Sequence, residues 1–175
     1  MMMTVVFTVG CGLLAAWLGH PVGIAPVVAG VVCAACFLRR RDVFVVALGA
    51  MLLHDALVGV SAFTFVRMAA IVSVAGVVCA WRAKPRLISA LGGILLAAPI
   101  YHLILIVGDW ATQTCAPYAR TFAGLASAMS SSWPYVQRVM LSDVLFTSLF
   151  VGCYTLAGAA MALRWPTLLP QSSRG

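Results

Sequence analysis

The sequence has no glutamate, and its acidic residues are four aspartates, Asp42, Asp55, Asp109 and Asp143. Charged residues make up 9% of its 175 positions, against roughly 25% in a soluble domain. So few charges cannot keep a folded surface in water. A water-soluble enzyme, a free nucleic-acid binder, a disordered chain and a second soluble domain are all excluded on that ground. Catalytic signatures are missing too: there is no G-x-S-x-G, H-E-x-x-H, Walker loop or G-x-G-x-x-G. Without a Walker loop the chain does not hydrolyse ATP itself, and neither an enzymatic role nor a cofactor is expected.

What is present is apolar. Hydrophobic residues account for 63% of the chain, and the net charge of +7 comes from 11 Lys and Arg. These basic residues stand in short clusters between apolar runs, as topology signals do, and not as a nucleic-acid footprint. Of the six cysteines, all but Cys115 lie inside apolar runs, where Cys packs as a small hydrophobe. Cys33 and Cys36 form a C-x-x-C with no second pair or histidine to complete a metal set. His20, His54, His102 and the aspartates lack the spacing that sets two ligands on one helical face, and the adjacent His54 and Asp55 are expected to point apart. No metal is expected.

A spanning helix needs about 20 apolar residues. The runs 4–19, 26–38, 43–60, 65–81, 87–108 and 139–163 give six candidates, the second of them short. The first run lacks a basic flank and an A-x-A site and reads as a retained helix. The expectation is an all-α bundle of six transmembrane helices over residues 1–166, with a short tail at 167–175. With the N-terminus cytoplasmic, Arg39, Arg40, Arg41, Arg82, Lys84, Arg86, Arg164 and Arg174 lie inside, and only Arg67, Arg120 and Arg138 lie outside. The positive-inside bias therefore places both termini in the cytoplasm. The long connection from Asp109 to about Arg138 falls outside. Its Trp110, Tyr118, Trp133 and Tyr135 suit the membrane–water boundary, and residues 119–129 read as a short separate helix in that interface.

An ionisable group at membrane depth costs at least about 2.5 kcal/mol and marks a functional site or an internal pair. Asp55 sits about 18 Å along the third run, toward the outer half. It either lines a cavity or pairs with Arg67. Asp143 either belongs to a site or caps the start of its own helix, where a carboxylate suits the dipole. Asp109 and Trp110 mark the outer end of the fifth run. His54 and His102 read as polar packing residues. Small-xxx-small pairs such as Ala15/Gly19, Gly30/Ala34 and Gly93/Ala97 let helices approach closely, within the bundle or against a partner.

Three stretches carry a resemblance. They are HPVGIAPVVAG ahead of the RRR cluster, MLLHDALVG around Asp55, and GDWATQTCAPYARTFAGL followed by WPYVQRVMLSDVLFT. Over residues 20–152 the chain resembles a family of small uncharacterised bacterial membrane proteins, distantly similar to the S components of energy-coupling factor (ECF) transporters. It keeps that pattern at Asp55, Trp110, Tyr118, Thr121, Gly124, Leu125, Pro134 and Asp143, and departs from it at Gly23, His54, Ile106, Ala119 and Ser142.

The resemblance implies a six-helix, non-enzymatic subunit of a bacterial inner membrane that binds a vitamin-like solute near the outer face. It also implies partners: a transmembrane coupling protein, engaged through a small-residue motif for which Ala15 and Gly19 are the candidates, and ATPase subunits. Asp55, Asp109, Trp110, Tyr118, Arg120 and Asp143 are the candidate solute-binding residues, with Trp110 and Tyr118 stacking on a flat ligand. The alternative is an accessory protein that binds other membrane subunits and no small molecule.

Overall fold

A computed structural model describes residues 6, 8–10, 13, 27–61, 63–81, 86–113 and 118–164, with side chains as far as Leu156. Residues 15, 19, 82–85, 115 and 167–175, on which several expectations fell, lie outside the described residues. So does nearly all of the first apolar run. Every regular element described is helical and none is a strand, in agreement with the all-α expectation. The helices are α1 (Val27–Phe37), α2 (Arg40–Val58), α3 (Thr64–Trp81), α4 (Leu87–Thr112) and α5 (Phe122–Arg164).

Helix ends follow local chemistry. Arg39 is extended (φ −71°, ψ 151°), which separates α1 from α2. The basic cluster thus opens α2, where Asp42 in the first turn offsets an unfavourable positive charge at the helix N-terminus. Gly59, at φ 117°, ends α2 in a conformation that side-chain-bearing residues rarely adopt. Its N–H donates to the Asp55 carbonyl at 2.8 Å. Gln113, in the left-handed region, ends α4 in a similar way on the Asp109 carbonyl.

One expectation is overturned here. Residues 119–129 are expected to form a short separate helix, with a span beginning at residue 139. Instead α5 is continuous from Phe122, with Pro134 inside it. A proline removes one backbone donor, and Pro134 lies on an exposed face of the helix. The Ser127, Ser130 and Ser131 hydroxyls fold back onto the carbonyls of Ala123, Ser127 and Ala128, so the serines sit within the helix without unsatisfied groups.

The short α1 is the hub. It touches each of the other four helices, while α2–α3, α3–α4 and α4–α5 pack as successive neighbours around it. Its Val28, Val31, Val32 and Ala34 are buried with Val46 and Ala47 of α2, Ile71 and Val74 of α3, and Ile94 and Ala97 of α4. Valine and alanine keep this core thin and let the helices approach closely. Large apolar side chains point outward instead. On α5, Leu141, Leu145 and Leu149 form an exposed stripe at i, i+4 spacing, opposite the buried Val139, Asp143, Thr147 and Val151. Phe65 is 81% exposed. Such a surface is stable only in lipid, and α3, α4 and the Phe122–Leu156 part of α5 are long and apolar enough to cross a membrane.

Candidate functional site

The chemistry gathers at the end of the bundle away from Arg39–Arg41 and Arg86. There α2 and α4 finish while α1 and α3 begin. The α2–α3 turn brings Arg67 back alongside Asp55, and Arg67 Nη2 donates to Asp55 Oδ1 at 2.8 Å. The same Nη2 donates to Thr64 Oγ1 at 3.3 Å, which fixes the guanidinium from two sides. His54 Nδ1 lies 3.1 Å from the same Asp55 oxygen. His54 and Asp55 therefore do not point apart, as their adjacency implied. The roughly 100° between neighbours leaves both on the half of α2 that faces Arg67. Asp55 is 1% exposed, so of its two expected roles the structure shows the ion pair with Arg67.

Beside this pair lies a cavity of about 500 Å³. Three helices contribute strips at helical spacing, Met51, His54 and Val58 from α2, His102, Leu105, Ile106 and Asp109 from α4, and Ser132, Tyr135, Val136 and Val139 from α5, and Phe63, just ahead of α3, and Arg67 in its first turn join them. Val27 and Tyr101 complete the described wall. The lining is mainly apolar and aromatic with a few polar groups, the usual make-up of a small-molecule site. Two of those groups lack partners: His102 Nε2 and Arg67 Nε are buried without a hydrogen bond. His102 is 4% exposed, and its ring meets those of Tyr101 and Tyr135 edge to face.

Of the residues expected to bind solute, Asp109 lines the cavity directly and Asp55 stands behind it, holding Arg67. Asp143 is elsewhere. Fully buried in the middle of α5, it accepts the Ala29 N–H through Oδ1 at 3.0 Å. Ala29 is the third residue of α1, so the carboxylate serves the N-terminus of another helix and not of its own. Trp110 and Tyr118 form a strap beside the cavity rim. Trp110 Nε1 donates to the Ala119 carbonyl at 2.9 Å, and Gln113 Nε2 to the Tyr118 carbonyl at 2.7 Å. The Tyr118 hydroxyl and Ser131 Oγ are 2.6 Å apart. Arg120 is exposed on the same stretch. Neither Trp110 nor Tyr118 is in the described cavity wall, so neither ring is placed there to stack on a ligand.

Tyr101 and Ser132 escaped the sequence reading, Tyr135 reads there as a boundary aromatic, and His54 and His102 read as packing residues. A signal did exist for one of them: His102, Ile106 and Asp109 fall on one face of α4 at i, i+4 and i+7.

A family model matches residues 1–168, nearly the whole chain. The chain belongs to DUF6580, a family of unknown function. No curated protein and no solved structure matches it. The function of this DUF6580 member has therefore to be argued from its own site. A closed Asp–Arg pair, two histidines and two tyrosines around a cavity can bind and orient a solute. Among the described residues, nothing there forms a nucleophile–base pair or a metal cluster.

Proposed function

We propose that this chain is the solute-binding subunit of a bacterial inner-membrane transporter, of the S-component kind. The observation that carries the reading is the cavity of about 500 Å³, walled by residues of all five described helices at the end remote from the basic clusters. By the positive-inside bias that end faces outward and both termini face the cytoplasm, in a bundle that crosses the membrane six times. Asp109 lies in the wall, Asp55 orients Arg67, and the strap held by Trp110 and Tyr118, with Arg120 on it, borders the rim. Asp143 ties α5 to α1. ATP hydrolysis falls to partner subunits, reached through a coupling protein on the small-residue face that includes Ala15 and Gly19.

Small residues inside the bundle are already engaged. Gly93 is buried, with Val32 and Trp81 close above it, and Ala34 and Ala97 are fully buried. The test is native mass spectrometry of the protein extracted in mild detergent. A retained small molecule, displaced when Val136→Trp fills the cavity, is the expected result. A spectrum carrying only lipid, or another membrane protein, would turn the reading to an accessory subunit.

A further inference from the structure

We infer that the solute recognised in this cavity is an organic cation, with its positive nitrogen held by Asp109 and a flat aromatic body seated against Tyr101, Tyr135 and Phe63. This rests on the solute-binding reading and adds to it the class of ligand. Of the Asp, Lys and Arg side chains, the described wall holds two, Asp109 and Arg67. The Arg67 charge is already balanced by Asp55 behind it, at 2.8 Å. That pair presents no net charge to the cavity, so Asp109 sets its sign. Arg120 and Arg138 are exposed and stand outside the described wall, where water and dissolved salt screen them. A second carboxylate entering beside Asp109 would be repelled, and it would have to compete with Asp55 for Arg67. A positive nitrogen meets an acid instead. Asp109 is half-buried, open enough to be reached and shielded enough for its charge to count. A carboxylate offers about four acceptor sites, so Asp109 can take a bond from within the protein and still receive one from an ammonium group.

The aromatic end of the cavity lies deeper along α4. Asp109 is seven residues beyond His102, which is nearly two full turns and about 10 Å along the axis. Both line the cavity, with the carboxylate close to the end of the helix and the ring cluster two turns below it. There the His102 ring lies 5.4 Å from that of Tyr101 and 6.4 Å from that of Tyr135, edge to face in each case. Tyr135 keeps half of its surface exposed and so still offers ring area to a ligand. Phe63 joins the wall from the α2–α3 turn. Aromatic faces and edges pack well against a planar ring, and ring faces also attract a cation. A solute about two helical turns long therefore reaches from the rings to Asp109. A cavity of about 500 Å³ holds a molecule of that size.

The test uses three water-soluble probes that share one ring: tryptamine, a cation, indole-3-acetate, an anion, and tryptophol, which is uncharged. Binding to the purified full chain is measured by equilibrium dialysis at neutral pH. Val136→Trp, which fills the cavity, gives the blank for uptake into detergent. Ser132→Trp serves as the filling variant if Val136→Trp does not yield folded protein. Tryptamine is expected to bind best and to weaken about tenfold in Asp109→Asn, the scale of one lost charge-assisted partner. Asp109→Glu should restore it. Tryptophol should bind Asp109→Asn as it binds the wild type, which separates a lost charge from a damaged cavity. Preference for indole-3-acetate or tryptophol, abolished by filling, would overturn the cation assignment and leave the solute-binding reading standing. So would tryptamine binding that ignores Asp109→Asn, or an equal loss of tryptamine and tryptophol that Asp109→Glu does not restore. If filling the cavity changes the binding of none of the three, the aromatic cation is ruled out, and the native mass spectra alone decide the solute-binding reading.

Discussion

Asp55 and Arg67 are worth more for what they prevent than for what they add. A buried ion pair gains little over an apolar pair of the same volume, but removal of one partner strands the other charge. Asp55→Ala should therefore destabilise the protein by about 3–5 kcal/mol, read as earlier unfolding in a denaturant titration in detergent. Asp55→Asn combined with Arg67→Gln removes both charges, and the double variant should lose clearly less than Asp55→Ala. If the double variant is as unstable as Asp55→Ala, the charges are not balancing each other. This pair was visible in the sequence because charge is so scarce: an aspartate and an arginine at the same depth in neighbouring runs have few other partners. Asp143 was harder to place. Its partner is a backbone N–H 114 residues away, and no spacing along one helix points to such a contact.

At the scale of elements, apolar runs bounded by arginine clusters mark helix ends well, because charges are costly within the bilayer. The runs 65–81 and 87–108 coincide with α3 and α4 to within a turn at each end. The first half of α5 was not legible, because serine and proline signal a break in water-exposed chain yet are tolerated on the exposed face of a long helix. Straight, 43 residues would extend about 64 Å, roughly twice the hydrocarbon core. On the proposed topology the first turns of α5 therefore stand beyond the membrane. Gly124 is what lets the strap lie against them: a Cβ at this position would collide with the Ala119 carbonyl. The neighbouring Gly124 N–H donates to Thr121 Oγ1 at 3.1 Å. Because the obstacle is backbone, it cannot rotate away. Gly124→Ala should cost about 1–3 kcal/mol and detach the Trp110–Ala119 contact, seen as a shift of tryptophan emission. Unchanged emission together with unchanged stability would mean that the strap is not held there.

For the molecule as a whole, the position of the cavity matters only with respect to the two sides of the membrane. The cavity and the basic clusters occupy opposite ends of the same helices, so one topology measurement fixes both. Single cysteines placed at Ser130, on the exposed face of α5 beside the strap, and at Leu87, exposed at the basic end of α4, report the two ends in a cysteine-free background. A membrane-impermeant maleimide applied to intact spheroplasts should label Ser130→Cys at once, and Leu87→Cys only after the membrane is opened. That outcome puts the cavity where a solute arrives from outside. It also leaves Arg39, Arg40, Arg41 and Arg86 on the side where ATP-hydrolysing partners work. The reverse pattern would face the cavity to the cytoplasm, where uptake from outside cannot load it, and the chain would then have to export its solute or only sense it.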